Sequence, residues 1–207
     1  MEDILDLYAK PYDPMCPVIC MDEQPYQLLD HIIEPLPMKK GSCKKEDYEY
    51  ERKGTCCIFM FTEPLSNWRH VNVRHRRTKM DWAEEIQELL DIHYPLAEKI
   101  ILVMDNLNTH TISSLYERFA PAKARALAER LEIHYTPKHG SWLDIAEIEL
   151  NVMTRQCLNR RISDIGTLQQ QVDAWSKERN ASQAKVVWQF KTGEARIKLK
   201  HLYPKLI

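Results

Sequence analysis

The chain has 207 residues, 44% of them apolar and 29% charged, which suits an ordinary globular protein with one main core. No apolar run approaches the ~20 residues needed to cross a bilayer, and the start Met1-Glu-Asp-Ile-Leu-Asp is acidic rather than a basic leader, so a cytoplasmic protein is expected. The net charge of -1 leaves nucleic-acid binding open, because a locally basic face disappears in an average.

The six cysteines show no CxxC and no Cys/His spacing of a zinc site, so reduced thiols are expected. Residues 1–16 read as a short helix over 4–9 followed by an extended Lys-Pro-Tyr-Asp-Pro path, a lead-in segment. Next, Cys16-Pro-Val-Ile-Cys-Met-Asp22-Glu-Gln-Pro25 is an apolar run that ends in acids, a strand with Asp22 at its lip. Residues 26–50 carry Pro35, Pro37 and Gly41 and are expected to be a loop. Residues 54–64 and 68–77 read as two antiparallel strands joined by a short turn.

Asp81-x-x-Glu84 reads as a capping box, and Trp82, Ile86, Leu89, Leu90 and His93 share one helical face before Pro95 stops the helix. The stretch Lys99-Ile-Ile-Leu-Val-Met-Asp-Asn-Leu-Asn-Thr-His110 follows. Ile100 to Met104 lacks any apolar/polar alternation, the pattern of a strand covered on both faces, and Asn106 and Asn108 turn the chain straight after Asp105. Ser114-x-x-Glu117 opens a helical piece, Pro121 suits the first position of the next, and residues 131–137 alternate like a short strand. Lys138-His-Gly is a turn, and Ser141 is expected to cap a helix over 142–159 with Asp144 in its third position. A last amphipathic helix carries Ile165, Leu168, Val172 and Trp175 on one stripe. The order β, ββ, α, β, α, β, α, α predicts an α/β fold, a mixed central sheet flanked by helices.

Two strands ending in aspartates, followed by a helix bearing Asp144, Glu147 and Glu149, suggest a carboxylate cluster. Three converging carboxylates repel unless cations lie between them, and Mg²⁺ prefers such oxygens. Asp144 and Glu147 share a helical face, whereas Glu149 lies ~200° round from Glu147, so the two glutamates cannot both point inward. Helical geometry alone does not choose between them.

Val-Met-Asp105-Asn-Leu-Asn-Thr-His110 and Pro137-Lys-His-Gly-Ser-Trp-Leu-Asp-Ile-Ala-Glu147 resemble the second and third acidic motifs of the DDE transposases of the IS630/Tc1/mariner superfamily, most closely the bacterial IS630 branch. Met21-Asp22-Glu23 resembles the first. The usual third motif is Leu-Asn-Pro-Ile-Glu, and Leu143-Asp-Ile-Ala-Glu147 takes its place, with Asp144 departing from the usual Asn as a fourth acid at the rim. The resemblance implies an RNase H-like domain over 17–180, with Asp22, Asp105 and Glu147 holding two Mg²⁺ ions that Mn²⁺ can replace. It implies strand cleavage at an element end and attack of the freed 3′-OH on target DNA, usually at TA. It also implies that Glu149→Gln leaves cleavage nearly unchanged.

Such proteins usually carry an N-terminal helix-turn-helix, and the residues before Asp22 are too few for one. A catalytic part is therefore expected, acting as a homodimer or with a DNA-binding polypeptide. The competing readings are another RNase H-like nuclease and an idle fragment that pairs with a transposase. Residues 68–79 hold five Arg/Lys and no acid, so Arg74, Arg76 and Arg77 are candidates for phosphate contacts. Lys138 and His139 beside a helix start, and His110, join them. The basic tail over 181–207 is expected to pack on the domain through Trp188 and Phe190.

Overall fold

Apolar runs without alternation need cover on both faces, and the computed structural model, which describes residues 1–138 and 140–203, shows where that cover comes from. Among the described residues five strands form one sheet: β1 (Val18–His31), β2 (Tyr50–Glu63), β3 (Trp68–Arg74), β4 (Ile100–Met104) and β5 (Leu131–Tyr135). Their spatial order is β3-β2-β1-β4-β5; β1, β2 and β3 are antiparallel neighbours, while β4 and β5 run parallel to β1. The helices are α1 (Glu2–Tyr8), α2 (Lys79–Glu88), α3 (Ile112–Arg118), α4 (Pro121–Glu129), α5 (Ile145–Gln156), α6 (Ile165–Ala181) and α7 (Thr192–Lys198).

Successive strand residues enter different cores. Ile19, Met21, Phe59, Phe61, Leu102 and Met104 pack under α2, α3 and α4. Cys20, Ile58, Met60, Ile101 and Val103 pack under α1, α5, α6 and α7. Each such side chain contributes ~1.5–3 kcal/mol by leaving water, which is why β4, covered on both faces, carries five buried residues and no polar one. All six cysteines are free. None of the described helices is long and apolar enough to cross a membrane.

Three local expectations are corrected. β1 does not end at Asp22 but continues to His31, because β2 matches it from Cys20↔Thr62 to His31↔Tyr50. Pairing with β4 stops at Cys20, so Pro25 lies where β1 is held from the β2 side and its missing N–H is tolerated. Helix α2 begins earlier than the apolar pattern suggests. Thr78 is its cap: the Thr78 hydroxyl accepts the Asp81 N–H at 3.2 Å while the Asp81 carboxylate accepts the Thr78 N–H at 2.7 Å, an arrangement worth ~1 kcal/mol. Ser141 opens only a 3₁₀ turn, Ser141–Leu143, and Asp144 caps α5 by accepting the Ala146 N–H at 2.9 Å.

The two ends of the described chain meet. Arg196 pairs with Glu2 at 2.7 Å, the Tyr203 hydroxyl donates to Glu2 at 2.8 Å, and the Thr192 hydroxyl donates to Asp6 at 2.6 Å. Between them Trp188 lies 5.3 Å from the Tyr8 ring, and Phe190 packs against the same core.

Candidate active site

Register places the two aspartates together. β1 and β4 pair Val18↔Ile101, Ile19↔Leu102 and Cys20↔Val103, so the same register carried two residues further sets Asp22 beside Asp105. Residues two apart in a strand share a face, and Cys20 and Val103 belong to the core that α5 covers. Helix α5 brings Glu147, in its first turn, to that face, and Asp22 and Glu147 line one cleft together. Asp105 lines the adjoining groove with Asn106, Lys138 and Ser141. At Gly140, in the turn between β5 and α5, a Cβ would stand 2.5 Å from the Pro137 ring, so only glycine fits this approach.

The acids are held in different states. Asp105 is half-exposed and accepts a hydrogen bond from His110 Nδ1 at 2.7 Å, which holds its carboxyl below the usual range. His110 is buried, with its other nitrogen 3.0 Å from Glu23. Burial disfavours a charged imidazole, but the contacts with Asp105 and Glu23 outweigh it and raise His110 to about 9. Asp22 is pushed the other way, to about 7, by burial above all and by the charges of Glu23, Asp105 and Glu147, against the lowering effect of the Glu23 backbone N–H. Asp144 is fully buried rather than at the rim. Burial and the Asp22 charge hold its carboxyl well above the usual range. No trio drawn from these acids has oxygens within 4.8 Å of one another.

A testable consequence concerns Asp22. Its folded value near 7 exceeds the ordinary 3.8, so the folded state binds the extra proton and stability falls as pH rises between those values. Asp22→Asn removes that loss. In metal-free buffer the variant's melting temperature is expected to exceed wild type by a margin that grows from about pH 4 to about pH 7 and is flat above, read from thermal melts.

Residues 17–169 match the family described as DDE superfamily endonuclease. The chain belongs to that family. No curated protein matches it. Among solved structures it is similar to the Mos1 mariner paired end complex with Mn, at 12% identity and TM-score 0.58 over 88% of this chain and 55% of that one. The Mos1 Strand Transfer Complex aligns at 11% identity and TM-score 0.57 over 90% and 60%, and the mariner Mos1 paired end complex with Mg at 14% and 0.53 over 86% and 52%. The likeness establishes the RNase H-like fold, and the chain spans between half and three-fifths of the length of these structures.

Within this DDE-family fold the basic candidates separate. Arg74 turns onto α2, where it pairs with Glu84 and the buried Glu85, so its charge is compensated inside the chain. His110 is buried between two carboxylates. Arg76 and Arg77 follow β3, and the charge of Arg77 reaches Asp105. Lys138 lines the Asp105 groove, and His139 lies outside the described residues.

Glu149 faces away from Glu147, as the helical period requires, but it is no bystander. It is fully buried and accepts paired hydrogen bonds from Arg69 at 3.0 and 3.1 Å and from Arg179 at 3.1 and 3.1 Å. Sequence reasoning missed Arg69, Glu23 and the capping role of Asp144. Arg69 carried a readable signal, since it alternates with Val71 and Val73 on the inward face of β3.

Proposed function

We propose that this chain is the catalytic domain of an IS630-like transposase, which cleaves a DNA strand at an element end and joins the freed 3′-OH to target DNA. Asp22, Asp105 and Glu147 are its metal ligands, for two Mg²⁺ ions or Mn²⁺ in their place. The observation that carries this reading is the β1–β4 register, which, continued two residues past Cys20 and Val103, brings the two aspartates to one face, where the first turn of the covering helix supplies a glutamate. The donor set is all oxygen, which suits Mg²⁺ and Mn²⁺. Asp144 Oδ2 is buried without a hydrogen-bond partner among the described residues, close enough to Asp22 for the two carboxyls to feel one another.

When bound, such a metal pair activates a water or 3′-OH and stabilises the leaving oxygen of a phosphodiester. The chain's own residues prepare the rest. His110, pinned by Glu23 and by the Tyr135 hydroxyl donating to its carbonyl at 2.7 Å, orients Asp105 and keeps it ionised. Lys138 and Arg77 flank Asp105 as phosphate contacts. The similar Mos1 structures are a paired-end and a strand-transfer complex. That likeness supports DNA ends as partners; the motif resemblance adds a TA target, engaged by a homodimer or with a DNA-binding polypeptide, in the bacterial cytoplasm.

The test uses DNA carrying the terminal repeats that flank the coding sequence, a target plasmid, and Mg²⁺ or a chelator. Joined products that begin at a 3′-OH and need the metal are expected. Metal-dependent cutting without joining would assign a hydrolytic nuclease instead. Arg76→Ala combined with Arg77→Ala is expected to lower the slope of log binding constant against log salt by about 1.8, the share of two phosphate contacts. An unchanged slope returns both arginines to a solvated surface.

A further inference from the structure

Three metal-binding side chains meet on the other side of the sheet from the acids. Across β3, β2 and β1 the row His70–Phe61–Met21 enters the core under α2, whereas the next row, Val71–Met60–Asp22, lies on the α5 side. Glu88 is the last residue of α2, and His93 ends a π-helical turn, Leu89–His93, that follows directly. In an α-helix, positions five apart stand ~140° round from one another. The wider turn, closed by the Tyr94 N–H on the Leu89 carbonyl at 2.9 Å, returns His93 towards Glu88. Single π turns recur at functional sites.

Glu88 Oε1 stands 3.3 Å from His70 Nε2 and 3.7 Å from His93 Nε2, and one ligand atom from each of the three falls within 4.8 Å of the others. Both imidazole nitrogens are buried, and neither makes a hydrogen bond among the described residues. The two buried nitrogens converge on one carboxylate oxygen. Trp68 fixes the rings, stacked on His70 at 6.2 Å and packed against His93 at 5.1 Å. A tetrahedral ion with ~2.0–2.1 Å arms has ligand-to-ligand edges of about 3.3–3.4 Å, close to the 3.3 and 3.7 Å that separate Glu88 from the two imidazoles.

We infer that His70, Glu88 and His93 form a binding site for a Zn²⁺-class transition metal ion, with two imidazole Nε2 atoms and a carboxylate oxygen as ligands and a fourth position open to solvent. The side chains support access as well as closure: His70 and His93 are each 22% exposed and Glu88 30%. The mixed nitrogen and oxygen set selects Zn²⁺, Co²⁺ or Ni²⁺ over Mg²⁺. Burial holds both imidazoles below their usual range, so they are neutral, as ligands must be, near pH 7. A bound ion joins the outer strand β3 to the C-terminal end of α2.

Chelator-stripped protein is titrated with Zn²⁺, and separately with Co²⁺, in excess Mg²⁺ to occupy oxygen-only sites. Wild type is expected to take up a single Zn²⁺ and to give Co²⁺ d–d absorption without a thiolate charge-transfer band, which separates these ligands from the free cysteines. His93→Ala and Glu88→Gln are each expected to weaken Zn²⁺ binding by ~100-fold or more. Glu88→Gln keeps the shape of the side chain, and circular dichroism verifies that it is folded. No uptake by wild type, unchanged affinity in the folded variants, or a thiolate-type Co²⁺ spectrum overturns the inference. None of these outcomes depends on cleavage activity or on Asp105.

Discussion

Asp105→Ala is expected to abolish metal-dependent strand cleavage, by about 10³-fold or more, while DNA binding is kept or tightened. A loss of that size corresponds to ~4 kcal/mol of transition-state stabilisation, within what a displaced metal ion accounts for. Binding survives because the substitution removes a negative charge from a groove that Lys138 shares and Arg77 reaches. The fold survives because the Asp105 side chain is about half exposed, so its loss opens no core cavity. Cleavage of labelled end DNA measures one arm and filter binding the other. Substantial residual nicking in Mg²⁺ would remove Asp105 from the chemistry.

The second large effect is on stability, two residues along α5 from a proposed ligand. Glu149→Gln leaves Arg69, whose side chain is fully buried, and Arg179 facing an uncharged amide. Removing one partner of a buried ion pair costs about 3–5 kcal/mol, a fall of roughly 10 °C in melting temperature for a chain of this length. Glu147→Gln, at an exposed position, is expected to melt like wild type and to lose cleavage. Equal melting of the two variants would refute the assignment of Glu149 as the clamp between β3, α5 and α6. The pH dependence has a definite sign. Burial tends to raise the Glu149 carboxyl, but the hydrogen bonds from Arg179 and Arg69 outweigh it and the folded value is lowered. The clamp's stabilisation is therefore present above the ordinary 4.5 and lost as pH falls through the folded value, so the gap between wild type and Glu149→Gln narrows in acid.

Parts of this site were legible in the chain itself. A run such as Ile100 to Met104 has one physical meaning, burial on both faces, and Asp105 directly after it has to sit at the sheet's edge. The opposed facing of Glu147 and Glu149 follows from the helical period, although the choice of Glu147 as ligand came from the motif resemblance. What stayed hidden was set by partners remote in sequence. Arg69 sits in a basic stretch that reads as a solvated or DNA-facing surface, yet its partner is eighty residues away. In the sequence Asp22 reads as a strand end because acids and Pro25 follow, whereas pairing with β2 draws the strand onward. Asp144 reads as a helical residue because its N-cap role depends on the 3₁₀ turn before it.

The meeting of α1 and α7 has a consequence for how the domain is tethered. With Tyr203 hydrogen-bonded to Glu2, a module fused ahead of residue 2 or behind residue 203 departs from the same patch of surface. The two fusion orders thus give any attached DNA reader nearly equal reach to the cleft. A circular permutant closed by a few linker residues and reopened within 32–49 keeps every strand of the sheet intact.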